Sequence, residues 1–262
     1  MDTLFEKILK SALHFENFPM RMAEWLHLLP RRQYALRIRR GPTFWIRPYA
    51  SDAAFVQSIT REKEYFPYFN VLPSDTVVDV GANIGSFAVW VAHQEPSARV
   101  IAYEPLSENF ALLEKNIGAN ALQNVTAVCA AVAGETGTLT LYPGKGTWYG
   151  SASLAPIDAV QRDAAIETPA VSLADLFTRH GIERCDFLKM DCEGAEYGIL
   201  AAVPAALWSK VQRIALEFHE FDEQHQRASL IRLLTAQGFR VIVPPQYRQK
   251  KIGLLFAIRV CP

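Results

Sequence analysis

The chain has 262 residues, half of them hydrophobic, and its 27 lysines and arginines equal its 27 aspartates and glutamates. This length suits one large α/β domain, or a domain with an extension, and the apolar content allows a sizeable core. The balanced charge argues against a general nucleic-acid binder, and no apolar run approaches the roughly 20 residues of a membrane span.

Residues 2–29 read as helical, with Leu4, Phe5, Ile8, Leu9 and Leu13 at three- and four-residue steps and Pro19 and Pro30 as punctuation. The start is acidic (Asp2) and lacks an apolar leader core, so no secretory signal is expected and cytoplasmic residence follows by default. Arg31, Arg32, Arg37, Arg39 and Arg40 then form a basic patch, read as a solvated face or as packing against acids within the protein, with contact to an anionic substrate or a membrane surface as the alternative. Residues 43–47 read as a short strand and 52–66 as a helix closed by Pro67.

From residue 75 the pattern is regular. Strands are expected at 76–81, 99–104, 125–132, 185–191, 213–219, 240–244 and 254–260, and helices near 84–94, 106–119, 172–180, 194–202 and 222–237. Strands alternating with helices imply a parallel sheet with right-handed crossovers. The last two strands are joined by a polar turn too short for a helix, so they should pair antiparallel. Residues 134–168 break the alternation. Thr138–Tyr142 is read as an extra strand, and the Gly/Ser-rich loop with Trp148, Tyr149 and Ser151 as a substrate-covering insertion or as an anchor onto the core. The expected organisation is a helical extension at 1–42 and one domain at 43–262. Cys129, Cys185, Cys192 and Cys261 form no C-x-x-C pair, so buried free thiols are expected rather than zinc or disulfides.

The chemistry begins at Thr76-Val-Val-Asp-Val-Gly-Ala-Asn-Ile-Gly-Ser86 and Glu104. A β-branched run stops at a glycine turn, a helix follows, and an acid ends the next strand. That spacing sets an acid beside a ribose held over the turn. A dinucleotide site wants glycines where Asn83 and Ser86 stand, so a pyrophosphate would be crowded. S-adenosylmethionine carries no phosphate. It needs a tight turn at Gly81, backbone room at Gly85 and polar groups for its amino-acid end, which Asp79 and Asn83 could supply. NAD(P)-linked oxidoreduction stays as the alternative.

Ligands in open α/β sheets bind beyond the carboxyl ends of the strands. Two further ends carry acids: Asp186-Phe-Leu-Lys-Met-Asp-Cys-Glu-Gly-Ala-Glu196 and Ala215-Leu-Glu-Phe-His219. Lys189 and Asp191 share a strand face, as do Glu217 and His219, and Glu193 and Glu196 come next at the turn. Together they would form an active-site floor.

The segments Val78–Ser86, Tyr103-Glu-Pro105, Phe187–Glu196 and Leu216-Glu-Phe-His219 resemble the FkbM family of S-adenosylmethionine-dependent methyltransferases over roughly residues 43–260. The Lys-Met-Asp-Cys-Glu-Gly-Ala-Glu run matches the family's K-[IM]-D-x-E-G-x-E pattern. The resemblance implies a class I, Rossmann-like fold: a seven-stranded, mostly parallel sheet ending in an antiparallel hairpin. It also implies O-methylation of a hydroxyl on a saccharide or secondary metabolite. Asp79, Gly81, Asn83, Gly85, Ser86, Glu104 and Pro105 would then serve the cofactor, and Glu193, Glu196, Glu217, Trp148, Tyr149 and Ser151 the substrate. A hydroxyl is a poor nucleophile while protonated, so Asp191 and His219 are the candidate bases. Lys189 would stabilise the developing alkoxide or be a salt-bridged structural lysine. Asp191, Glu193, Glu217 and His219 would suit magnesium or manganese, although nothing in their spacing fixes a metal geometry and no metal ligand is assigned. Two other readings remain: methylation of nitrogen, protein or nucleic acid, and a non-catalytic cofactor-binding module. No nucleic-acid partner is expected, and the oligomeric state is not legible.

Overall fold

The computed structural model describes residues 4–144, 152–153, 165–223 and 225–260. The chain opens with α1 (Leu4–His14) and α2 (Phe18–Trp25), then β1 (Tyr34–Arg37) and β2 (Thr43–Ile46), which pair antiparallel from Tyr34↔Ile46 to Arg37↔Thr43. β1 is not among the expected strands. Its signal is the alternation of Tyr34, Leu36 and Ile38, all buried, which the surrounding arginines mask. The expected boundary at residue 42 thus falls in the turn of a hairpin. Phe15, Leu36, Phe44 and Ile46 pack with Ile84, Val89 and Leu112, so this N-terminal unit shares a core with the rest of the chain.

α3 (Asp52–Thr60) stops six residues before its expected end. The Thr60 hydroxyl bonds the Val56 carbonyl at 2.6 Å, and Lys63 turns into the left-handed region at φ 53°. The chain after the helix, including Glu64 and Tyr65, is thereby free to fold inward.

β3 (Thr76–Val80), α4 (Ser86–Gln94), β4 (Arg99–Tyr103), α5 (Ser107–Ala119) and β5 (Val125–Val128) build one half of the main sheet. β6 (Ala131–Ala133), β7 (Gly137–Pro143), β8 (Ala152–Ser153) and β9 (Ile166–Ser172) come next, then α6 (Leu173–Arg179). β10 (Phe187–Met190), α7 (Glu196–Ala201), α8 (Ala205–Trp208), β11 (Arg213–His219), α9 (Arg227–Ala236), β12 (Phe239–Ile242) and β13 (Ile252–Arg259) complete the chain. The main sheet has seven strands in the order β12-β13-β11-β10-β3-β4-β5. β5, β4, β3, β10 and β11 run parallel, and β13 pairs antiparallel with both β11 and β12, as expected. β10 is buried at every residue, as a central strand covered on both faces must be.

The expected strand 125–132 is two strands in two sheets. It breaks at Cys129, and β6 enters a second sheet of order β6-β9-β7-β8. Cys129 is exposed rather than buried, whereas Cys185 is buried and Cys192 half-buried, all three as free thiols. Cys261 lies outside the described residues. The break in alternation at 134–168 therefore reflects a small second sheet among the described residues. α6 is capped by Ser172, whose hydroxyl accepts from the Asp175 N–H at 3.0 Å. No helix among the described residues is long and apolar enough to cross a membrane.

Candidate active site

β3 and β10 are neighbours, yet the chain leaves β3 toward β4 on one side and reaches β10 on the other. A crevice opens at such a switch point, beyond the carboxyl ends of the strands. A cavity of about 330 Å³ lies there, lined by the β3 turn, the ends of β4, β10 and β11, α3 and the small second sheet.

The glycine turn is fixed by backbone contacts. Gly81 has φ 77°, and a Cβ there would lie 1.9 Å from the Asp191 carbonyl oxygen. Gly81 and Ala82 both donate to the Tyr103 carbonyl, at 3.0 and 2.9 Å. Asn83 is left-handed at φ 52°, a conformation asparagine tolerates, and its side-chain oxygen accepts from the Ile84 N–H at 2.8 Å. Gly85 does not face the cavity as expected. A Cβ there would meet the Leu113 side chain at 2.5 Å, so its role is the packing of α4 on α5.

Glu104 is buried in a ring of donors. The Asn83 and Leu106 N–H groups reach it at 2.7 and 2.9 Å, and the Asn109 amide at 3.1 Å. Burial raises its carboxyl to about 7 although these donors favour the charged form. Ser86 and Pro105 also line the cavity. The Ser86 hydroxyl is buried and has no hydrogen-bond partner among the described residues, so a donor is available on the cavity wall.

Asp79 and Lys189 face each other across the β3–β10 pair. Their side chains form a fully buried ion pair at 3.1 Å, and the ammonium also donates to the Gly81 carbonyl at 2.7 Å. Burial opposes the Lys189 charge, but the Asp79 and Asp191 carboxylates outweigh it and hold the ammonium above its ordinary value. Asp79, expected to meet the cofactor, instead lies beneath the turn and outside the cavity lining. Lys189 reaches the lining with its charge already matched, as in the structural alternative.

At the other end the turn Asp191-Cys-Glu-Gly194 reverses the chain with Glu193 at φ 51° and Gly194 at φ 104°. A left-handed glutamate is uncommon and costs strain, and here it aims a carboxylate at the cavity. The Tyr65 hydroxyl donates to Asp191 at 3.1 Å. Glu217 is raised to about 10 by burial and by the Asp191 charge and hydrogen bond, so it holds its proton beside the Asp191 carboxyl. Glu193 is raised to about 7 by burial and the same Asp191 charge, and Glu64 is raised for the same two reasons.

His219 Nδ1 lies 3.2 Å from Glu196 and Nε2 lies 3.5 Å from Glu193. Burial lowers the imidazole pKa, but the Glu196 bond and the surrounding carboxylates raise it further, to a net value above the ordinary one. Glu196, expected to touch substrate, is fully buried behind the histidine. It accepts from the Cys192 N–H at 3.0 Å and does not line the cavity. Asp191, Glu217 and His219 each offer a ligand atom, all within 4.8 Å of one another, so this set could hold a divalent cation.

Of the expected site residues, Gly81, Asn83, Ser86, Glu104, Pro105, Lys189, Asp191, Glu193, Glu217 and His219 gather round one cavity. Trp148, Tyr149 and Ser151 lie outside the described residues. Sequence reasoning misses Glu64, Tyr65 and Asn109. The first two fall inside an expected helix, and Asn109 has no signal beyond its place in the first turn of the helix after Glu104.

Residues 79–241 match the family model described as the methyltransferase FkbM domain. The 31-O-demethyl-FK506 methyltransferase FkbM of Streptomyces tacrolimicus is 30% identical over 221 residues, which cover 74% of this chain and 84% of that protein. The AMB antimetabolite synthetase AmbE of Pseudomonas aeruginosa is 33% identical over 209 residues, which cover 66% of this chain and only 10% of that protein. The crystal structure of methyltransferase FkbM from Methylobacillus flagellatus KT aligns at a TM-score of 0.50 with 16% identity, over 78% of this chain and 47% of that one. This last likeness is one of fold, and the fold is that of the class I, Rossmann-like methyltransferases.

Proposed function

The chain belongs to the FkbM methyltransferase family, and on that basis we propose that it moves the methyl group of S-adenosylmethionine to a hydroxyl oxygen of a saccharide or secondary-metabolite small molecule. The oxidoreductase alternative falls with the family assignment. The observation that carries the reading is the pairing of a phosphate-free turn with a histidine backed by a buried glutamate, at two ends of one cavity.

The cofactor end fits the expected ligand. Gly81 lets the turn pack against the Asp191 carbonyl where any side chain would clash, Glu104 offers carboxylate oxygens for ribose hydroxyls, and Ser86 offers an unpaired hydroxyl. S-adenosylmethionine supplies a methyl already electrophilic on its sulfonium. The residues of this chain need only align the acceptor, exclude water and take one proton. Glu196 holds His219 through Nδ1, which directs Nε2 at the cavity. The neutral imidazole removes the hydroxyl proton as the oxygen bonds to carbon and the carbon–sulfur bond breaks, and the proton ends on Nε2. A protonated Glu217 can donate and the Asp191 oxygens beside it can accept, so the pair orients the acceptor. Among the described lining residues Lys189 is the only lysine or arginine, and it is paired with Asp79. That favours a neutral acceptor over a phosphate-bearing one.

A second reading uses Asp191, Glu217 and His219 as ligands of a divalent cation that acidifies the hydroxyl, and the 4.8 Å clustering of their ligand atoms favours it. Chelation separates the two: with His219 as base, turnover survives EDTA.

The direct test is calorimetry with S-adenosylmethionine and S-adenosylhomocysteine, NADH as control and Glu104→Ala beside the wild type. Turnover is then measured on a panel of polyols and monosaccharides, with methylation sites read by NMR. Micromolar binding lost in the variant, and a methoxy product, support the reading. Binding of NADH, no turnover, or methylation at nitrogen overturns it.

A further inference from the structure

The N-terminal unit carries a surface that the methyl-transfer chemistry does not use. Six of the twelve exposed large apolar side chains among the described residues sit there: Leu9, Leu13, Met22, Trp25, Leu26 and Leu28. Leu13 and Leu28 are 67% and 72% exposed. Five exposed arginines accompany them, Arg31, Arg32, Arg37, Arg39 and Arg40, against two exposed acids among the described residues, Glu6 and Glu16.

The apolar and basic sets meet in space. The Arg39 N–H donates to the His14 carbonyl at 2.8 Å, and its side chain donates to the Leu13 carbonyl at 3.2 Å. The β1–β2 turn therefore sits on the end of α1, with Arg40 beside it. Leu26, Leu28, Arg31 and Arg32 fall within one seven-residue stretch. The Arg21 guanidinium lies 5.1 Å above the Trp25 ring, with its charge matched by Glu24, so it backs the indole rather than adding to the exposed basic set.

Soluble proteins rarely leave clustered leucines and a tryptophan in water without a use for them. A nucleic acid would engage the arginines and leave the leucines wet. An apolar protein partner would cover the leucines and strand the arginines. A bilayer interface satisfies both, with leucine and tryptophan at the acyl boundary and arginine on the phosphates. We propose that residues 9–40 dock this protein on a membrane surface bearing anionic lipids. The docked face adjoins the cavity. His14 Nε2 lies 2.7 Å from the Thr60 hydroxyl at the end of α3, and Phe55, Ser58 and Ile59 of that helix line the cavity wall. Amphiphilic acceptors concentrated at the bilayer would reach the site from there.

The test is flotation of the full chain with vesicles of phosphatidylcholine alone or mixed with phosphatidylglycerol, at low and high salt, with brominated lipids quenching tryptophan. Binding to the anionic vesicles should exceed binding to neutral ones by roughly tenfold or more and fall steeply with salt. Arg31→Glu/Arg32→Glu/Arg40→Glu should abolish it and Leu26→Gln/Leu28→Gln should weaken it, with circular dichroism unchanged because every substituted side chain is exposed. Equal recovery on both vesicles, wild-type binding by the charge-reversed variant, or RNA binding without vesicle binding overturns the proposal. So does a dimer in light scattering that the leucine variant dissolves without any change in flotation.

Discussion

The two ends of the cavity are built from different materials. At the Glu104 end, backbone N–H groups and one asparagine fix a single carboxylate, and the glycine turn is locked against the Asp191 carbonyl. At the His219 end, Glu64, Glu193 and Glu217, their carboxyl pKa values all raised, crowd round Asp191 and face one histidine. The first end is preorganised for one ligand and has little left to rearrange. The second gathers carboxyls of raised proton affinity round one histidine, the kind of setting that proton transfer uses. In the function proposed above, a rigid grip on the cofactor and an adjustable charge around the acceptor divide the work of methyl transfer between them.

The sharpest way to break that contrast is to disturb the rigid end. Gly81→Ala combines a left-handed backbone with a methyl 1.9 Å from the Asp191 oxygen, and backbone cannot yield as a side chain does. We expect loss of detectable S-adenosylmethionine binding by calorimetry and a stability loss of about 2–4 kcal/mol by denaturant titration. Gly85→Ala, strained as well but against the Leu113 side chain, should cost stability while the folded fraction still binds cofactor.

At the other end the expected effect is on rate. His219→Gln should lower kcat by about 100- to 10,000-fold with cofactor affinity unchanged. Glu196→Gln, which lies outside the cavity and holds His219 and the Cys192 N–H from behind, should cost roughly 10- to 100-fold. Because the histidine's pKa is raised, its base form is missing at acidic pH. Wild-type kcat should therefore climb through an apparent pKa above 6.5, and Glu196→Gln should shift that limb downward. A variant that lost rate without moving the limb would make Glu196 a packing residue.

The rigid end is also the legible one. A glycine turn after a β-branched strand, and an acid closing the next strand, are local patterns whose geometry follows from a single β-α-β unit. The strand-end acids on β10 and β11 are legible too, since period-two alternation places Asp191, Glu217 and His219 together. Their division of labour is not. Glu196 looks like any other acid in its motif until α7 turns it under His219. Asp79 looks like a cofactor ligand until Lys189, remote in sequence but on the neighbouring strand β10, covers it. Placing Glu64 and Tyr65 requires knowing that α3 stops at Thr60, and helix ends are among the least readable features of a sequence. β1 is hidden because its alternating apolar residues are interleaved with arginines.

The smallest expected effect tests how far the donor ring governs Glu104. Burial raises this carboxyl to about 7, and the Asn109 amide is one of three donors opposing that rise. A group whose folded pKa exceeds its unfolded value stabilises the fold at low pH and loses that contribution as pH rises through the folded pKa. Stability from Glu104 should thus decline between the ordinary carboxylate range and about 7. Cofactor affinity runs the other way, because ribose hydroxyls are held best by the ionised carboxylate. Affinity should rise a few-fold across the same window and level off above it. Asn109→Leu, which removes one donor without touching the cofactor's path, should weaken binding by only about 3- to 10-fold at pH 8. Its titration should move to higher pH, so the deficit against wild type is larger at pH 6.5. Calorimetry at the two pH values reads both effects. A deficit constant with pH would mean that Asn109 positions Glu104 without tuning it.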